Sequence, residues 1–183
     1  MKYTKNLILL SVVLLTSGIT NQMFSQDQTY IKEYLERFEK SKEYILLVAE
    51  MMPENKYDFR ATPESMSFEE HLMHITWAMD WHSQSLMGGR DARDWNTDTE
   101  LKVDNKNKDE MIATVKNTFD ITKNFISKFD TKKLNEKLDY FGASRTKRQI
   151  LMLLADHITN HRAQMLVYLR LNGIKPPRYV LYQ

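Results

Sequence analysis

The sequence predicts an all-α protein, a four-helix bundle with a short extended C-terminal tail. Three observations carry that prediction. Only five Gly and four Pro punctuate 183 residues, too few turn-formers for a fold of many short strands. Apolar residues recur three and four apart along four long stretches, the spacing of one helix face. Three of those stretches open on a pair that closes a helix N-terminus reciprocally: Ser67 with Glu70, Asn107 with Glu110, and Thr146 with Gln149.

Met1 to Gln26 reads as a secretory signal peptide. Lys2 and Lys5 form its basic head, and Leu7 to Leu15 is apolar apart from Ser11. That core suits the 7 to 15 residues of a signal rather than the about 20 of a membrane span. Residues 27–183 are then one exported, periplasmic domain with no membrane segment after cleavage. The two lysines are the only charges in the signal, so the mature chain balances its acids and bases. A balanced charge excludes a nucleic-acid-binding field. With no cysteine, an acylated-Cys lipoprotein, disulfides and thiolate chemistry are excluded as well.

Ile31, Tyr34, Phe38, Ile45, Val48 and Met52 place a first helix at about Gln28 to Met52, stopped by Pro53. The second runs from its Ser67 cap to about Met87, where Gly88 and Gly89 end it. It carries His71, His74 and His82 within an arc of about 80° at 100° per residue, and spacing does not choose among them. Trp77, Met79 and Trp81 are expected in the core. The polar stretch from Gly88 to Asn107 is long for a compact domain; it is a surface excursion, a lid, or a crossover that lets the next helix run parallel to the second. Met111, Val115, Phe119, Thr122 and Ile126 mark the third helix, ending near Asp130. Thr131 to Arg145 reads as an irregular link anchored by Leu134, Leu138, Tyr140 and Phe141, with Tyr140 a packing or pocket-wall residue. The fourth helix runs from Thr146 to about Asn172, where Gly173 caps it and Pro176 and Pro177 prevent continuation. Arg178 to Gln183 is the extended strap.

The fourth helix holds the most informative stretch, Asp156 to Gln164. His157 and His161 lie four apart, about 5 to 6 Å at Cβ, a gap that bonds of about 2 Å to one metal ion can bridge. On the wheel, Ile150, Leu153, Leu154, Met165 and Tyr168 fall within about 80° of His157, so the pair faces the core. Buried neutral imidazoles need polar neighbours or a cation, and a third ligand has to come from another helix. Asp156 points about 100° away, towards solvent. Arg162 and Gln164 flank the arc, as ligand-orienting groups or as surface hydrogen bonders. No glutamate stands between the two histidines as a general base.

The histidine seven residues after the Ser67 cap, the His-Ile-Thr-Asn-His-Arg-Ala-Gln run from His157, and the Gly-Ile-Lys-Pro-Pro exit from Gly173 together resemble the DinB/YfiT family. These are four-helix metalloproteins unrelated to the polymerase that shares the DinB name. The resemblance covers the whole mature chain and implies a divalent transition metal, Zn, Ni or similar, held by His74, His157 and His161. Ala163 stands where the family often has Gly, and the export signal departs from cytosolic relatives. Three neutral imidazoles leave the ion its double charge and an open position, at which a water reaches a pKa of about 7. The implied function is metal-dependent hydrolysis of a small-molecule substrate. Small-thiol transfer, as in bacillithiol, mycothiol and glutathione transferases of the superfamily, is the other chemistry, disfavoured outside the cytosol where such thiols are scarce. The alternative is a non-catalytic metal-binding or scaffold bundle whose site is closed by a fourth ligand from His71, His82 or Tyr140. Broad apolar helices also suggest a homodimer.

Overall fold

The computed structural model describes the backbone of residues 2–179 and the side chains of residues 26–179. The predicted signal, apart from Gln26, and the last four residues of the predicted strap lie outside the described side chains. Four helices dominate: α1 (Lys2–Met51), α2 (Phe68–Asp80), α3 (Lys108–Ser127) and α4 (Lys147–Leu171). α2 continues directly into a π-helical stretch, Trp81–Met87. Single 3-10 turns occupy Glu54–Lys56 and Thr131–Lys133. Among the described residues no helix is long and apolar enough to cross a membrane.

The helix boundaries follow from local chemistry. All three capping boxes form both of their bonds: Ser67 Oγ accepts from the Glu70 amide at 3.1 Å while the Ser67 amide donates to the Glu70 carboxylate at 2.7 Å. Each box satisfies two amides that the first turn leaves without partners. At the far end of α4, Gly173 takes φ +75°. The Ile174 amide returns to the Leu169 carbonyl and the Gly173 amide to that of Arg170, the paired bonds of a Schellman cap.

Long-range pairs give the direction of each helix. Lys108 reaches Glu50 and Lys123 reaches Glu39, so α3 is antiparallel to α1. Tyr30 meets Arg148, Arg37 meets Thr159 and Ser41 meets Arg162, so α1 and α4 are parallel. Tyr168 reaches Met66 and His161 reaches His71, which sets α4 antiparallel to α2. Ser83 meets Thr122, and Gly88 closes on Phe125; α2 and α3 are therefore parallel, and the stretch between them is the crossover. Around the bundle the order is α1, α3, α2, α4. Ile45, Val48, Leu72, Ile75, Phe119, Ile126, Leu154 and Met165 fill its centre with no exposed surface, each stabilising the fold by about 1.5–3 kcal/mol.

One prediction needs correction. The Thr131–Arg145 link is not irregular throughout: Lys137–Tyr140 (β1) and Ala143–Thr146 (β2) pair antiparallel, with Tyr140 opposite Ala143. Phe141 and Gly142 form the two-residue turn at φ +53° and +80°, the all-positive geometry that matches hairpin twist. Asn or Gly usually announces such a turn; Phe in its first position hides it. A left-handed conformation at a side-chain-bearing residue costs about 1–2 kcal/mol.

Candidate metal centre

α2 and α4 carry the histidines, and their antiparallel packing brings His74 against both His157 and His161. Ring centroids lie 4.7 Å apart for His74 and His161, 5.0 Å for His74 and His157, and 4.6 Å for His157 and His161. One ligand nitrogen from each falls within 4.8 Å of the others, so small side-chain rotations reach the about 3.4 Å of a tetrahedral nitrogen set. His74 Nδ1 and His157 Nε2 are buried and have no hydrogen-bond partner. Two orphaned nitrogens in one spot are costly unless something binds them, and a cation fits that requirement. The three-histidine group can hold a metal ion.

Electrostatics favour the neutral, ligating form. Burial, reinforced by the neighbouring imidazoles, pushes His157 down to about 4 and His161 to about 3. His74 is lowered by burial alone, and His71 by burial and by His74. At neutral pH their lone pairs are free, as a metal requires.

His71 packs directly behind this group. Its Nδ1 lies 2.8 Å from His161 Nδ1, so one of the two donates. With His161 ligating through Nε2, its Nδ1–H donates to His71, the arrangement that fixes the tautomer and ring angle of a metal-binding imidazole. His71 thus touches a ligand without closing the site.

Nor do the other two candidates for a fourth ligand close it. His82 is only 1% exposed; its Nδ1–H donates to the Ala78 carbonyl at 2.7 Å, and its Nε2 accepts from the Tyr140 hydroxyl at 3.3 Å. The π-helical stretch that contains His82 is bonded five residues apart, as from the Gly88 amide to the Ser83 carbonyl at 3.0 Å. Such wider turns are frequent at functional sites.

The histidine group opens instead onto a cleft of about 380 Å³ walled by Trp77, Trp81, Trp95, Tyr140 and Phe141, with His74, His82 and His157 at its inner end. Met79 is in the core as expected, but the expectation for Trp77 and Trp81 is overturned, since both are half-buried cleft walls. They lie only about 60° and 20° from His74 on the wheel, and that arc faces the cleft. Tyr140 is likewise a half-buried wall residue.

Trp95 belongs to the crossover, and no reading of the sequence gave it a role. Arg93 organises this loop through ion pairs to Asp98 at 2.6 Å, Glu100 at 2.8 Å and the buried Asp80. Trp95 then meets Trp77 edge-on at 4.6 Å, with the Lys102 ammonium 4.7 Å over its ring. The one sequence signal was an Arg and a Trp amid acids in a loop too long to be idle. A second cleft, of about 340 Å³, lies on the other side of Trp95 and also reaches His74.

Arg162 and Gln164 are not at the site. Arg162 is 2% exposed, donates to Ser41 Oγ at 2.9 Å and stacks over Tyr44 and Tyr179. Together with the bond from the Tyr44 hydroxyl to the Pro177 carbonyl, it fastens the C-terminal segment to α1. Gln164 is exposed, and Asp156 faces solvent as expected.

Among curated proteins none is similar to this chain. Two crystal structures share its fold. A DinB-like protein from Bacillus subtilis, YjoA, aligns at TM-score 0.66 and 21% identity over 80% of this chain and 96% of its own. A DinB-like protein from Bacillus cereus aligns at TM-score 0.58 and 18% identity over 82% and 95%. Residues 23–182 match the model of the DinB family, and this chain belongs to that family.

Proposed function

We propose that this protein is an exported, metal-dependent hydrolase of a small molecule, with His74, His157 and His161 as the ligands. The observation that carries the reading is the pair of orphaned buried nitrogens, His74 Nδ1 and His157 Nε2, at the inner end of an open cleft. A structural site would be closed by a fourth protein ligand, whereas His71, His82 and Tyr140 are each engaged elsewhere. That difference favours catalysis over the alternative, a bundle whose metal serves stability alone.

A divalent ion there supplies a Lewis acid and a water acidified to about pH 7. The chain's own residues orient and exclude. His71 holds His161, His82 holds the Tyr140 hydroxyl at the cleft wall, and the indoles keep bulk water from one side. Export is supported by the basic head and apolar core of residues 1–26, and a small-molecule partner by the balanced charge of the rest. The metal is zinc, nickel or a similar N-preferring ion.

Elemental analysis of the untagged protein beside a His157→Ala/His161→Ala variant tests the reading. About one equivalent of transition metal in the parent and almost none in the variant is the expected result for a three-histidine site. Ester, amide and thiol-transfer substrates are then screened on the loaded protein, and cell fractionation and size-exclusion chromatography test export and homodimerisation. Equal, negligible metal in both proteins after reconstitution with Zn, Ni and Mn would overturn the hydrolase.

A further inference from the structure

Resting on that metal reading, we propose that the cleft takes a planar aromatic anion, an aryl carboxylate or hydroxamate in class, with its head at the histidine cluster and its ring against Trp81 and Phe141. Two properties of the cleft select this class. No carboxylate lines it, and its one charged lining residue, Arg93, is committed to Asp80, Asp98 and Glu100. The neutral histidines leave an ion's charge uncompensated, so the inner end attracts an anionic head. Everywhere else the walls are aromatic, and the volume of about 380 Å³ suits a one- or two-ring molecule.

Phe141 is the observation that points to a ligand rather than to packing. It occupies the left-handed turn position of the hairpin and is 81% exposed, so the fold gains little burial from placing it there. Its ring stands 5.3 Å from Trp81 and 4.9 Å from Tyr140, at the outer end of the same wall that Tyr140 joins to His82. Trp95, fixed by Trp77 and Lys102, lines the cleft as well. A flat ring entering between them covers Phe141 and Trp81 together, with geometry that aromatic contacts favour.

Cobalt(II) loaded into the full chain provides the test, with benzohydroxamate and acetohydroxamate as probes that share a metal-binding head and differ only in the ring. Visible cobalt absorption reports the head, and tryptophan fluorescence reports the ring. Benzohydroxamate is expected to bind about tenfold more tightly than acetohydroxamate. Phe141→Ala and Trp81→Ala should each remove most of that preference while leaving acetohydroxamate affinity unchanged. Phe141 is exposed enough that its variant should fold. Equal affinities in the parent, or a preference that neither variant moves, would overturn the proposal while leaving the metal site standing. Absence of any cobalt absorption before a probe is added would instead remove the metal reading, and the proposal with it.

Discussion

His71 and His82 show how one residue type acquires different roles from its neighbours. Both were possible fourth ligands, and both are turned from the cluster by a single hydrogen bond: His71 Nδ1 to His161 Nδ1, and His82 Nδ1 to the Ala78 carbonyl. If His71 sets the tautomer of His161, then His71→Ala should weaken metal binding by about 10- to 100-fold, the usual effect of losing a partner behind a ligand. Competition with a chelator of known affinity measures this, with circular dichroism to verify the fold. Affinity within twofold of the parent would mean that His71 does not orient the ligand.

At the scale of elements, α2 does two jobs along its length. Its first turns present His71 and His74 to α4, and its π-helical end brings His82 and Trp81 to the hairpin while packing on α3. Gly88 makes that second contact possible: a Cβ there would stand 2.6 Å from the Gln84 carbonyl oxygen and 3.2 Å from Phe125. The first of these is backbone and cannot swing aside, so Gly88→Ala should destabilise the protein by about 1–3 kcal/mol in urea unfolding. A loss below about 0.5 kcal/mol, the range of an ordinary surface change, would show that the helices part easily here. Gly89 ends the same helix for a different reason, its φ of +78°.

For the whole molecule, the buried histidines make stability depend on pH in a defined window. An unfolded histidine titrates near 6.5, while His157 and His161 in the fold are held down to about 4 and 3 by burial and by one another. Between those values the unfolded chain binds more protons, so stability rises with pH. It should therefore be complete above about pH 6.5 in metal-free protein and fall as pH drops towards 4. Urea midpoints between pH 7.5 and 4.5 check this, because carboxylates held low by cations, such as Glu70 by Arg60 and Asp120 by Lys42, titrate below the range. A flat profile would mean that the histidines are more hydrated than their packing implies.

The sequence by itself determined the features whose physics is local. Helix starts at Ser67, Asn107 and Thr146, the Gly173 stop, and the adjacency of His157 and His161 all depend on contacts within one or two turns, so residue order suffices. The hairpin escaped because its turn carries Phe141 where Asn or Gly gives the usual signal. Tertiary structure alone decided which way each group faces. On a wheel His71, His74 and His82 are near-equivalent. The antiparallel register of α2 against α4 sets His74 on the pair and His71 behind it, and the π-helical end carries His82 to Tyr140. The same register turns Trp77 and Trp81 into cleft walls, and the parallel packing of α1 and α4 takes Arg162 to Ser41 rather than to the site. Periodicity reports that a face is apolar; which neighbour that face meets is fixed only when helices distant in sequence pack together.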